Sequence, residues 1–161
     1  MPEPITGNES TIDPTTPQGA LAEFYRAFNS RDLVLMERNW LNSPEASMDN
    51  PVGEIRRGWE EISRVYQRIF AGTGTVAVEF YDYSLHVFQD AFLAVGRERG
   101  NYKSSDRQIA LQFRTSRWFK RVDGRWRQLH HHGSVDDPAL LEAYQTAVRT
   151  GSDAQAATGH H

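Results

Sequence analysis

Two long strand-like stretches meet at Asp123-Gly124, and this hairpin constrains the fold more than any other feature of the chain. An Asp-Gly pair supplies the positive φ angles of a two-residue type I′ turn, so it fixes a register as well as a connection. The flanking strands cover residues 109–121 and 125–135. Symmetric pairing about the turn predicts Arg117 opposite His130, Thr115 opposite His132, Phe119 opposite Gln128 and Arg121 opposite Trp126.

Side chains alternate between the faces of a strand, so Ile109, Leu111, Phe113, Thr115, Arg117 and Phe119 share one face, and it is the apolar one. The predicted register adds Trp126, Gln128, His130, His132 and Ser134 to that face and turns His131 outward. One arginine thus stands in an apolar row with two histidines and a threonine beside it. A buried guanidinium is costly unless an anion or a strong hydrogen-bond acceptor meets it, so the row predicts either an internal ion pair or a ligand. Asp49, Asp82 and Glu98 are the candidate internal partners.

A chain of 161 residues with 39% hydrophobic and 24% charged residues supports one domain with a real core. A net charge of -3 gives no electrostatic reason to expect nucleic acid or an anionic membrane as partner. The absence of cysteine excludes thiolate chemistry, disulfides and Cys-ligated zinc. The opening Met-Pro-Glu-Pro-Ile-Thr has no basic-then-apolar pattern, and no run approaches membrane-spanning length, so the expected setting is the cytoplasm.

Residues 1–16 are polar and proline-rich and are expected to form a disordered arm, with a single domain over residues 17–149. Thr16-Pro17 reads as a helix start, followed by Leu21, Phe24, Tyr25 and Phe28 on one face. Asp32 caps a second helix carrying Leu33, Met36 and Trp40. Residues 42–57 hold two prolines and a glycine and read as a loop, with Met48-Asp49-Asn50 its extended piece. Trp59, Ile62, Val65, Tyr66, Ile69 and Phe70 mark a third helix, ended by Gly72 and Gly74. Two strands over residues 76–88 and 91–102 then turn at Gln89-Asp90, which places His86 opposite Leu93 and Asp82 opposite Arg97. After the central hairpin, Asp137-Pro138 starts a last helix with Leu140, Leu141, Tyr144 and Val148 as its stripe. Residues 150–161 read as a disordered tail, and His160 and His161 as a possible tag remnant, left out of site reasoning.

Three helices, a meander of four long strands and a short final helix make an α+β layout. A strongly curved antiparallel sheet wrapped over the helices forms a cone with a closed end, a mouth and a pocket between the layers.

The run from Arg117 to Ser134, with its arginine, its Asp-Gly turn followed by Trp126 and its His-x-His-x-Ser ending, resembles the closing hairpin of the nuclear-transport-factor-2-like superfamily in its SnoaL-like branch. It is especially similar to the association domain of calmodulin-dependent kinases, and the element order agrees from about Thr16 to Val135. The resemblance implies a pocket fold that hosts isomerases, dehydratases, cyclases and non-enzymatic binding modules alike. In the kinase association domain, inner-face arginines accept carboxylate ligands. Arg117 matches one of them, and Arg97 another through Ala91-Phe-Leu-Ala-Val-Gly-Arg97. Isomerase relatives use a pocket aspartate as base, whereas no inward position of this central hairpin holds a carboxylate.

The expected ligand-binding set is Arg117, Arg97, His86, Thr115, Tyr25, Phe28, Trp40, Phe113, Phe119 and Gln128, with the aromatics forming the pocket wall. Arg97 has a plainer reading as the cross-strand partner of Asp82. His130 and His132 are the candidate acid or base groups. Asp49 joins them because the segment between the second and third helices borders the pocket mouth in the resembling families. His130, His132 and His86 could in principle ligate zinc, but the neighbouring arginine repels a cation, so neither metal nor cofactor is expected. The expected ligand is compact and carries a carboxylate or enolate-like oxygen. Any chemistry would be proton transfer of the isomerase, lyase or cyclase type, with Arg117 stabilising the oxyanion. The alternative is a non-catalytic ligand-sensing or oligomerisation module. Outward Trp118, with Leu129 facing it, points to a homodimer through the convex sheet face.

Overall fold

The computed structural model describes residues 2–135 and 137–157, with side-chain surroundings given through residue 150. Helix α1 (Pro17–Ser30) begins where Thr16 accepts a hydrogen bond from the Gly19 amide at 3.0 Å and ends where Arg31 takes a left-handed conformation. Asp32 caps α2 (Leu33–Asn39) through the Leu35 amide. Strands β1 (Ser47–Asp49) and β2 (Arg56–Arg57) precede α3 (Trp59–Ala71). Four long strands follow: β3 (Thr75–Val87), β4 (Ala91–Lys103), β5 (Gln108–Val122) and β6 (Arg125–Ser134). Helix α4 (Pro138–Ala157) is longer than the sequence pattern predicts, and the predicted tail lies partly within it and partly outside the described residues.

The strands form one curved, unclosed sheet in the order β2-β1-β6-β5-β4-β3. All neighbours are antiparallel except β1 and β6, which run parallel. The turn at Asp123-Gly124 has φ of 52° and 79°, the two positive values that type I′ requires. The sheet wraps over α1, α2 and α3, and its closed end is packed by Phe92 stacked on Phe119 at 4.6 Å with Trp126 edge-on at 5.0 Å. Among the described residues no helix is long and apolar enough to cross a membrane.

Two bulges bend the sheet. In β3 the ladder slips between Tyr81 and Ser84, where Asp82 adopts φ of 48°. In β6 the pairs Phe119–Gln128 and Trp118–His130 leave Leu129 as an extra residue. The symmetric register therefore holds from the turn to Gln128 and fails beyond it. Arg117 faces His131, and Thr115 faces Gly133. Since one residue of slip exchanges the faces of a strand, His131 points inward while His130 and His132 point outward, the reverse of the expectation.

The N-terminal arm is also corrected. Ile5 is buried and exchanges backbone hydrogen bonds with Phe80 at 2.8 and 2.9 Å. Arg26 holds the carbonyls of Gly7 and Glu9, and the Pro14 carbonyl accepts from the Trp126 amide. The arm is fastened through its backbone, which a polar composition does not reveal.

Candidate functional site

A cavity of about 190 Å³ lies between the inner sheet face and helices α1, α3 and α4. Most of its wall is apolar, from Phe24, Phe28, Val65, Val78 and Phe113. Asn50, Glu54, Arg56 and Arg68 line it from the β1–β2 segment and α3, and the buried polar exceptions Glu98 and Arg117 come from adjacent strands. Alternation along β4 places Glu98 on the face of Phe92 and Ala94, and β5 brings Arg117 alongside. These two are 6% and 2% exposed, and Arg117 Nη2 lies 2.8 Å from Glu98 Oε2.

The pair is thoroughly braced. Tyr25 donates its hydroxyl to the same Glu98 oxygen at 2.5 Å. Arg117 Nη1 donates to Gln128 Oε1 at 2.7 Å, and the guanidinium face lies 3.7 Å from the Phe24 ring centre. Gln128 donates onward to Asn39, which in turn donates to Glu23, the partner of Arg125. This chain of buried polar groups ties both N-terminal helices to the sheet. Burial works against the Arg117 charge, but Tyr25, Glu98 and Tyr66 outweigh it, so the group is held cationic. Burial, reinforced by Glu98, raises the Tyr25 hydroxyl well above its ordinary range. Burial likewise raises Tyr66, against opposing pulls from Arg117 and Trp40, while for Tyr144 burial and Glu98 act together.

His131 is 7% exposed and lines the same cavity. Its Nε2 is 2.8 Å from Thr115 Oγ1, and that hydroxyl also lies 3.2 Å from the His132 carbonyl, to which it can donate. When Thr115 donates to that carbonyl it accepts from Nε2, and in this tautomer Nε2 carries the proton and Nδ1 keeps its lone pair. Nδ1 is buried with no hydrogen-bond partner among the described residues. Burial first, then the Arg117 charge, holds this imidazole well below the ordinary histidine range.

The expected site residues divide accordingly. Arg117, Phe28 and Phe113 line the cavity; Tyr25, Gln128 and Thr115 stand behind it, bracing Glu98, Arg117 and His131. Trp40 and Phe119 are fully buried in the core, Trp40 packing against Tyr66 with ring centres 6.3 Å apart. The remaining candidates lie elsewhere. With Met48 inward, Asp49 faces out, and its Oδ2 sits 3.0 Å from His132 Nδ1, while His130 Nδ1 is 2.6 Å from Ser47 Oγ. Arg97 pairs with Asp82 at 3.1 Å in a half-exposed bridge, its plainer reading. His86 is exposed and bonds Ser84. No group of three or more His, Cys, Asp or Glu poised for a metal occurs among the described residues.

Of the three candidate internal partners of Arg117 the structure pairs it with Glu98, while His131, Tyr66 and Tyr144 are cavity groups outside the expected site set. Glu98 was legible as an even position in the run Phe92, Ala94, Gly96, Glu98, and Tyr66 as part of the α3 stripe. Finding His131 required the Leu129 bulge, for which no sequence signal exists.

Known proteins share this architecture. An association-domain-like protein of the calcium/calmodulin-dependent protein kinase II kind from Thiobacillus denitrificans superposes with a TM-score of 0.63 at 20% identity, covering 80% of this chain and 100% of the other. A nuclear transport factor 2-like protein from Salmonella enterica gives a TM-score of 0.65 at 21% identity over 71% and 84% of the two chains. At these identities the likeness is one of fold. By sequence, the F-box protein SKIP8 of Arabidopsis thaliana is 26% identical over 126 residues, and the matched region spans 78% of this chain but about half (51%) of that relative's length. The SnoaL-like domain matches residues 18–138, most of the chain and the whole sheet, with the α4 wall residues Tyr144 and Val148 beyond it, and the chain therefore belongs to the SnoaL-like domain family.

Proposed function

We propose that this protein binds a compact, largely apolar small molecule inside the cone and addresses one oxygen-bearing end of it with the polar groups around Glu98 and Arg117. One observation carries this reading: a buried charged pair is set into the wall of a largely apolar cavity, where simple packing would favour hydrocarbon. Binding is supported over turnover. The expected acid–base residues His130, His132 and Asp49 do not line the cavity, and the buried carboxylate within it, Glu98, already accepts from Tyr25 and Arg117. A fragment screen read by amide chemical shifts tests the proposal. Hits should perturb amides around Val78, Glu98 and Phe113 and should be lost in Val65→Trp, which fills the cavity. A screen in which no fragment moves those amides would refute it.

We further propose that the outer sheet face carries a homodimer contact. Val95 and Phe88 are 39% and 58% exposed there, and Phe88 stacks on Trp118. Leu129 is the bulge residue rather than the cross-strand partner of Trp118, so the apolar spot is centred on β4 and β5. Sedimentation equilibrium should give a dimer for the wild type and a monomer for Val95→Asp with Trp118→Asp. A monomeric wild type would exclude the contact.

A further inference from the structure

We infer that the cavity selects a neutral ligand bearing a hydroxyl donor, of the alcohol or phenol class, rather than a carboxylate. The inference rests on the cavity being a ligand site and concerns which end groups its inner wall leaves unanswered.

Arg117 looks like an anion receptor only until its commitments are counted. Nη1 is held by Gln128, Nη2 by Glu98, and one face of the guanidinium is covered by Phe24, which leaves Nε as a buried donor with no partner among the described residues. Its charge is balanced by a carboxylate 2.8 Å away. An incoming carboxylate would have to displace Glu98 or stand beside it, bringing two like charges together in a water-poor space. An ammonium group would meet the same difficulty with Arg117. Neutral ligands avoid both.

Beside the Arg117 Nε donor, the unspent capacity of the wall is that of acceptors, and a hydroxyl, which accepts and donates at once, answers both where a carboxylate answers only the donor. Glu98 Oε2 takes hydrogens from Tyr25 and Arg117, while among the described residues no hydrogen bond reaches Oε1. In the tautomer in which Thr115 accepts from Nε2, His131 adds a bare Nδ1 lone pair with no partner among the described residues. Buried acceptors without donors are costly, and a ligand O–H removes that cost. Tyr66 and Tyr144 also line the cavity, and a ligand hydroxyl accepts as well as donates. A carboxylate at neutral pH can only accept, which leaves Glu98 Oε1 and His131 Nδ1 unanswered. Size agrees with a single substituted ring, since an apolar cavity of about 150 Å³ takes benzene and this one offers about 190 Å³.

Isothermal titration calorimetry of the full chain at pH 7 with 4-ethylphenol, 4-ethylanisole and 4-ethylbenzoate tests the inference. The phenol should bind at least about tenfold more tightly than the other two, as expected for one hydrogen bond to a charged acceptor. Glu98→Gln should reduce that advantage to within about threefold and improve benzoate binding, because Arg117 then lacks its carboxylate. Val65→Trp should abolish binding of the phenol. Anisole or benzoate matching the phenol on the wild type would overturn the donor assignment while leaving the cavity as a ligand site. If none of the three probes binds, the cavity reading itself fails. Undiminished phenol binding to Val65→Trp would place the site elsewhere and overturn the inference. The wild-type ranking decides by itself should Glu98→Gln lower stability.

Discussion

At the scale of single residues, the Glu98–Arg117 pair sets the balance between stability and recognition. Two charges taken out of water gain from each other only if the geometry is good and their remaining atoms are bonded, and here Tyr25 and Gln128 do most of that bonding. Removing one partner leaves the other buried alone. Arg117→Met should therefore cost about 3–5 kcal/mol in urea unfolding at pH 7, and Glu98→Leu added to it should restore about 2 kcal/mol or more. A single substitution costing less than about 1 kcal/mol would mean that water reaches the Glu98 carboxylate.

His131 gives the residue scale a pH signature. Its folded-state affinity for a proton lies well below the ordinary value of 6.5, because burial and Arg117 both oppose a second charge. In the unfolded chain it titrates near 6.5, so just below that pH the unfolded state holds more protons. Stability from this group is complete above about pH 6.5 and falls as pH drops toward the folded value, by up to about 1.4 kcal/mol per pH unit. His130 is shifted the same way by burial and by His132, with Asp49 opposing. The contribution of His131 is thus isolated by comparing the pH slope of unfolding free energy in wild type and His131→Gln. The variant should be shallower between pH 5 and 6.5, and equal slopes would show that His131 is solvated.

Bulges decide at the scale of elements what alternation alone cannot. Along β5, which has no bulge opposite the helices, every second residue from Leu111 to Phe119 faces in, as the sequence pattern predicts. The Asp123-Gly124 turn and its first four strand pairs were equally legible. Beyond Gln128 the inserted Leu129 moves the pairing by one, and a leucine inside an apolar strand advertises no such insertion. The same slip in β3 turns on Asp82, whose left-handed conformation is accessible to aspartate but not signalled by it. Removing Leu129 should leave Trp118 opposite His130 and Arg117 opposite His131, since those pairs already lie past the bulge. His131 should then keep its depressed titration by NMR while the strand loses curvature and the protein loses about 1–3 kcal/mol. Titration of His131 near 6.5 in the deletion variant would show that the bulge itself holds the inward register.

For the whole molecule, the α+β order and the cone were legible because helix stripes and strand alternation are local, whereas the site was not, because its residues meet from β4, β5, β6, α1 and α3. Helix α4 closes this assembly from the side. Tyr144 lies against Phe113 at 5.6 Å and Tyr102 at 6.4 Å between ring centres, Gln145 donates to the Pro51 carbonyl at 3.3 Å, and Tyr102 donates its hydroxyl to the Ala147 carbonyl at 3.4 Å. The closed end of the cone, packed by Phe92, Phe119 and Trp126, owes nothing to these contacts. Tyr144→Ala should therefore separate enclosure from folding. Its loss removes cavity wall and one hydroxyl beside Glu98, so affinity for 4-ethylphenol should fall about tenfold, mostly through faster dissociation. The midpoint of thermal unfolding should move by only about 2–4 °C, because the ring is half-buried and packs at the rim of the core. Unchanged affinity would mean that the ligand sits deeper, against Arg117 alone, with α4 no part of its enclosure.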